Sequence, residues 1–197
     1  MKVHDGIAGR LRAFVEAQPV FFVATAPAGA DGHVNVSPKG MRGTFLVRGE
    51  HEVAYLDFHG SGSETIAHLR ENGRITLMFC AFTGPPNIVR LHGRGGFTPV
   101  TDPDCPALVA EFPEPPDLHA VRGVVTVEVT RVSDSCGYSV PLMTYDGDRD
   151  LLLRAHERRD AAALAGYREQ KNRTSIDGLP AYTADLEDGS APFVVER

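Results

Sequence analysis

The chain places His59-Gly60-Ser61-Gly62-Ser63-Glu64-Thr65 between a β-rich run and a helical stretch, alternating glycines with hydroxyl side chains. At a strand-to-helix junction the first N–H groups of the helix lack intrahelical partners and meet the positive end of the helix dipole, which suits a phosphate. Glycines let the backbone approach such a group closely, and Ser61, Ser63 and Thr65 add hydroxyl donors. Taken alone, the simpler use of these residues is a helix cap at Ser63 and a glycine turn. A second segment, Asn35-Val36-Ser37-Pro38-Lys39-Gly40, is a strand ending on a Pro-Lys-Gly step. Pro38 has no N–H to give a ladder, so the strand suits an edge or an opening. Free backbone groups there can face the polar rim of a heteroaromatic ring, and Lys39 supplies charge for a phosphate or a ring oxygen. In isolation this segment too is an ordinary hairpin with a solvated lysine.

The remaining reactive side chains point to less. None of the eight histidines forms a pair with zinc-motif spacing, and the nearest, His51 and His59, fall on opposite sides of a strand's turn, so no metal site is expected. Cys136 has no base or cation among its sequence neighbours and is expected to be a small buried or half-buried thiol, as is Cys80 within an apolar strand. Arg154-Ala155-His156-Glu157-Arg158 lies in a helical pattern and reads as a solvated face. No catalytic residue is assigned.

The elements that must position these segments are mostly short strands. Ile7, Leu11, Phe14 and Val15 recur at helical spacing before Pro19 ends the pattern. Seven β-branched or aromatic runs follow, at 20–26, 33–37, 44–47, 52–58, 75–82, 88–97 and 121–132. Their close succession predicts an antiparallel meander or barrel rather than alternating βαβ units. One short helix interrupts them from Ser63 to Asn72, with Gly73 near its end. Proline-rich stretches at 98–106 and 112–116 make a long connection enclosing a short helix at 107–111. Helical patterns at 151–156 and 160–172 make residues 133–197 an α-rich appendage to a domain of residues 1–132.

Bulk composition agrees with one globular domain: 197 residues, 42% apolar and 23% charged. A net charge of -6 without a basic cluster leaves no footprint for nucleic acid or an anionic membrane. The three separated cysteines suit a reducing compartment, and no apolar run approaches the roughly 20 residues of a membrane span. The cytoplasm is the expected location.

In their order and spacing these pieces resemble the pyridoxamine 5′-phosphate oxidase-like family of FMN-binding split β-barrels. The resemblance runs from Phe14 to Arg94. It includes the opening helix and Phe21–Thr25, the Asn35–Gly40 strand end, the Tyr55–Thr65 strand-loop-helix, Leu69-Arg70-Glu71-Asn72-Gly73-Arg74 and Val89-Arg90-Leu91-His92-Gly93-Arg94. Asp134-Ser135-Cys136-Gly137-Tyr138-Ser139-Val140-Pro141 and the stretch from Gln170 to Pro180 resemble segments of a poorly characterised subgroup.

The resemblance implies a mainly β fold, a Greek-key split barrel with flanking helices, with FMN at a homodimer interface. It places the phosphate near the start of the short helix and the ring along the strand 35–39. The cofactor contacts carried over are Asn35, Val36, Ser37, Pro38, Lys39, Asp57, Ser61, Ser63, Thr65, Arg90 and Tyr138. Tyr138 either meets the ring or packs the appendage onto the barrel or the partner subunit. Where the oxidase has an arginine-lysine pair this chain has Glu64 and Thr65, and it contains no tryptophan, so vitamin B6 oxidation itself is not expected. The implied function is an FMN-dependent oxidoreductase for an unidentified small molecule, with NAD(P)H as a candidate electron donor. A deazaflavin-dependent reductase and a non-catalytic flavin- or haem-binding protein are the alternatives.

Overall fold

The computed structural model describes residues 1–113 and 118–187; Pro115 and Pro116 of the expected proline-rich connection and the last ten residues of the appendage lie outside them. The elements are β1 (Lys2–His4), α1 (Gly9–Ala17), β2 (Val20–Thr25), β3 (Asn35–Gly40), β4 (Phe45–Gly49), β5 (Glu52–Phe58), α2 (Glu64–Asn72), β6 (Arg74–Cys80) and β7 (Ile88–Pro99). They continue with α3 (Cys105–Ala110), β8 (Val121–Ser135), α4 (Leu151–Glu157), α5 (Ala161–Lys171) and α6 (Ala184–Glu187). All seven expected strands form. β1 and α6 were not anticipated; three and four residues are too short to show a period. Among the described residues no helix is long and apolar enough to cross a membrane.

The strands make one antiparallel eight-stranded sheet ordered β3-β2-β6-β7-β8-β5-β4, with β1 added to β8. β6, β7 and β8 are a meander, and β5 reaches β6 through α2 yet pairs with β8, which is a Greek-key arrangement. In this order β2 and β4 are five spacings apart, roughly 24 Å in a flat sheet. Phe21 of β2 and Phe45 of β4 nevertheless have ring centroids 5.2 Å apart, and Phe21 also packs on Tyr55 and Phe79. The sheet must therefore curl until its far ends share a core. Among the described residues it does not close by hydrogen bonds, since β3 pairs only with β2 and β4 only with β5; this is the split barrel that the family resemblance implies.

Inside the curl the core is filled by alternate residues such as Val23, Tyr55, Leu77, Leu91 and Val127, and Ile66 and Leu69 of α2 plug one end. Ala181, Tyr182 and Leu186 from the C-terminal segment belong to the same core. A second cluster, with Val109 and Phe112, packs α3 on the outer face of β5 and β8. Gly73 ends α2 in the left-handed conformation at φ 70°, its N–H donating to His68 and Leu69 carbonyls.

One irregularity prepares the site. Asp57 pairs with Gly123 and Phe58 with Val121, so Arg122 is the unpaired residue of a bulge in β8. A bulge re-aims its side chain, and here it turns a charged residue inward from an apolar strand. Gly123 is required beside it, because a Cβ there would stand 2.4 Å from the Thr98 carbonyl oxygen and 2.5 Å from the Phe97 ring. Gly123→Ala is expected to force β7 and β8 apart and cost about 1–3 kcal/mol, measured as a shift in urea midpoint.

Candidate functional site

At the open end of the barrel a cleft of about 860 Å³ runs between the C-terminal half of β3, the end of β5, the loop into α2 and the stretch 147–152. That volume suits a cofactor or drug-sized ligand. Its apolar wall includes Val20, Met41, Leu56, Phe58, Leu151 and Leu152.

The polar floor is built on Asp57. Its carboxylate is 3% exposed, accepts from Lys39 Nζ at 2.9 Å, and accepts from Arg122 Nε at 2.7 Å with a second Arg122 contact at 2.7 Å. Burial alone would raise the carboxyl pKa, but Arg122 and then Lys39 hold it below its ordinary value. Arg122, 4% exposed, also donates to the Gly60 and Gly62 carbonyls at 3.2 and 2.7 Å. Its donors are thus nearly all committed to the protein. The Lys39 ammonium has three protons and gives one to Asp57, so it keeps donors for a ligand.

The loop after β5 is oriented by its carbonyls. His59 O accepts from His156 Nε2 at 2.9 Å, and Gly60 O accepts from Asn172 Nδ2 at 2.8 Å as well as from Arg122. In a trans peptide the C=O and the following N–H point opposite ways. Carbonyls drawn toward buried His156, Asn172 and Arg122 therefore turn the Gly60 and Ser61 N–H groups outward. A Cβ at Gly60 or Gly62 would meet nothing closer than 3.8 Å, and both glycines border the cleft. Chain packing does not demand glycine there; close approach of a ligand would. These residues fit a phosphate.

His59 lines the cleft but is not a free acid or base. A carbonyl can only accept, so Nδ1 donates to Ala120 O at 3.2 Å, and Nε2 must then accept from Arg168 at 2.8 Å. Its backbone N–H also donates to Ala120 O at 3.3 Å. Burial, followed by the Arg168 and Arg122 charges and against the Ala120 hydrogen bond, lowers its pKa to about 4. The ring is a neutral clamp.

A second network holds the β3 end. Ser37 Oγ donates to Asn35 Oδ1 at 3.1 Å, and Asn35 Nδ2 donates to Thr65 Oγ1 at 3.2 Å and Thr25 Oγ1 at 3.3 Å. Thr25 Oγ1 lies 2.9 Å from Nδ1 of fully buried His68. Thr25 Oγ1 thus joins Asn35 of the edge strand to His68 of α2. Thr65 likewise accepts from Asn35 and keeps its proton for another acceptor.

Of the residues expected to hold a cofactor, Ser37, Pro38, Lys39, Asp57 and Thr65 line the cleft, and Asn35 stands behind Thr65. Val36 points away and is 61% exposed, and Ser61 is exposed at the loop tip. The Ser63 hydroxyl neither caps α2 nor faces the cleft; it is buried and donates to Thr174 O at 2.7 Å. Arg90 lies on β7 and donates to Ser135, and Tyr138 is 83% exposed and packs nothing onto the barrel of its own chain. Cys136 is exposed, not half-buried, because β8 ends at Ser135. His156 is buried on His59 rather than solvated.

Arg122 and Arg168 were not anticipated, and His59 and Asn172, though within segments that stood out, were given no role at the site. Arg122 left one signal, a lone charge beside glycine in the apolar run from Val121 to Val127.

A family model described as pyridoxamine 5′-phosphate oxidase matches residues 7–136. A pyridoxamine 5′-phosphate oxidase family protein of Aspergillus flavus, ustO, is 36% identical over 199 residues, spanning 94% of this chain and 79% of the relative. The chain belongs to the pyridoxamine 5′-phosphate oxidase family. Among solved structures, a FAD-binding protein from Mesorhizobium loti aligns with a TM-score of 0.45 at 16% identity, over 68% of this chain and 97% of the other. An FMN-binding protein from Syntrophomonas wolfei aligns at 0.44 and 13% identity, over 68% and 85%. At scores this low neither likeness carries the family assignment. The family match ends at Cys136, so the strap of residues that holds His59 and Gly60 lies beyond it.

The clamp on His59 has a pH signature. The unfolded ring takes up a proton near pH 6.5 and the folded ring only near 4, so stability is complete above 6.5 and falls progressively down to about 4. His68 and His156, also lowered by burial, act in the same sense, and Asp57 adds a loss below its ordinary range. The His59 share is on the order of 3 kcal/mol. Denaturant melts between pH 7 and 4 should show a shallower slope for His59→Gln than for the parent.

Proposed function

We propose that the cleft binds FMN and that the protein is an oxidoreductase for an unidentified small molecule. The observation that carries this is the pairing of outward N–H groups at Gly60 and Ser61 with the spare donors of Lys39, in a cleft that also presents the apolar side chains Leu56, Phe58, Leu151 and Leu152. The N–H groups, the Thr65 hydroxyl and Lys39 would take the phosphate, while Leu56, Phe58, Leu151 and Leu152 would flank the rest. When bound, a flavin supplies hydride exchange with a substrate or with a donor such as NAD(P)H. The chain's own residues at the cleft bind, orient and exclude water. His59 is locked as donor and acceptor, and the Asp57 carboxylate is held ionised by two cations, so neither is available to move a proton.

Purified protein is expected to be yellow, with FMN identified by the mass and absorbance of the released ligand; a deazaflavin in its place would give a different mass and spectrum. Lys39→Met should weaken FMN binding about tenfold, near 1.4 kcal/mol, in a fluorescence titration. Protein that stays colourless after FMN is added rules the proposal out.

The working unit in this proposal is a homodimer. β3 is an edge strand carrying Val36, with Val34 just before it, 61% and 71% exposed, and the cleft it borders is open to solvent. A second copy laid on this edge would bury those residues and close the site. Light scattering on the flavin-loaded protein should give twice the 21.3 kDa chain mass. A fully loaded species at the chain mass itself would refute the dimer.

A further inference from the structure

The C-terminal segment touches the loop residue by residue. Arg168 donates to His59 Nε2, Asn172 donates to Gly60 O, Thr174 O accepts from Ser63 Oγ at 2.7 Å, and the Ile176 N–H donates to Glu64 Oε1 at 3.3 Å. The sequence separations are 109, 112, 111 and 112, nearly constant, so the segment runs alongside the loop in the same direction. It is a strap in register with the loop rather than a tail packed at random. Asn172 is fully buried and Arg168 6% exposed, with the Arg168 guanidinium 5.3 Å from the Tyr182 ring centroid. Tyr182 is in the barrel core, so the strap is tied to the barrel through Arg168 and by the chain that follows it.

The loop needs such a partner. Two glycines in four residues make it cheap for a peptide to flip, and a flipped peptide would present a carbonyl oxygen where an anion needs an N–H. Arg122 secures the Gly62 carbonyl and helps with Gly60, but the 59–60 peptide is held by His156 and by the anchoring of the His59 ring.

We propose that Arg168 and Asn172 are positioning residues of the anion site: through the His59 ring and the Gly60 carbonyl they keep the Gly60 and Ser61 N–H groups facing outward, and so set the preference for a phosphorylated over a non-phosphorylated flavin. This rests on the reading of residues 59–65 as the phosphate loop. The preference follows from preorganisation, since a loop that must be ordered on binding loses affinity for the group it orders around and for nothing else.

The test compares FMN with riboflavin, which lacks the phosphate, by fluorescence titration of the full chain. Arg168→Met keeps the packing on Tyr182 and removes the donor to His59. It should raise the FMN dissociation constant at least tenfold and change that of riboflavin less than twofold. Arg168→Lys, which restores a donor, should recover most of the preference. Asn172→Ser, a milder change suited to the case in which Arg168→Met does not fold, should lower the FMN-to-riboflavin preference about threefold. Equal loss of both ligands in these variants would mark the strap as merely structural and overturn the proposal while leaving the cofactor assignment intact. Unchanged FMN preference would do the same. Parent protein that binds neither flavin would overturn both.

Discussion

The site is organised around one buried carboxylate. Asp57 sits at the end of β5 with almost no access to solvent, and a charge in that place is tolerated only if it is paired and fully hydrogen-bonded. Arg122 and Lys39 meet that demand from two directions, one from β8 and one from the edge strand β3. An ion pair of this kind is weak evidence of net stability, since desolvation offsets most of the attraction. What it provides is convergence: three elements from different parts of the sheet can satisfy Asp57 only in one relative placement, and that placement leaves the cleft between them. Arg122 extends the constraint, because the same guanidinium grips two carbonyls of the following loop.

That convergence depends in turn on the curl of the sheet. β3 and β5 are five strand spacings apart along the hydrogen-bonded path, yet Lys39 reaches Asp57. The aromatic group of Phe21, Phe45, Tyr55 and Phe79 fills the interior where the two sheet ends meet. The bulge in β8 then supplies the local correction, setting Arg122 outside the alternation that would otherwise assign its side chain by parity. The global curl brings the strands together, and the bulge aims the charge.

Much of this was legible in the sequence. Strands announced themselves through β-branched and aromatic runs between turn residues, and the edge character of β3 followed from Pro38. The Lys39 end of that strand and the glycine loop before α2 were joined into one site by the family resemblance, and the cleft lines up Ser37, Pro38, Lys39, Asp57 and Thr65. Ser63 was misjudged because a serine before a helix normally caps it; here the hydroxyl is drawn away by the Thr174 carbonyl, 111 residues on. Arg90 and Tyr138 were assigned by resemblance alone and are not at this chain's cleft. Arg168, Asn172 and His156 were invisible for a different reason. A residue on an amphipathic helix shows in its sequence that it is half-buried, but not which carbonyl it will meet.

The charges around the cleft sharpen what the fold contributes. Lys39, Arg122 and Arg149 line it, and so do Asp57, Glu64 and Asp148, so the formal balance is neutral. Attraction for an anion cannot come from net charge and must come from oriented dipoles and short-range donors. Dipoles act as a site only while their orientation is fixed, and a Gly-Ser-Gly-Ser loop has the least intrinsic tendency to stay fixed. The order is imported: from Arg122 across the sheet, from His156, and from the strap at 168–176. A loop of flexible residues surrounded by buried polar partners is rigid where an isolated loop of the same sequence would not be. The same motif can therefore turn a chain in one protein and cradle a ligand in another, and what separates the two uses is whether distant side chains take its carbonyls.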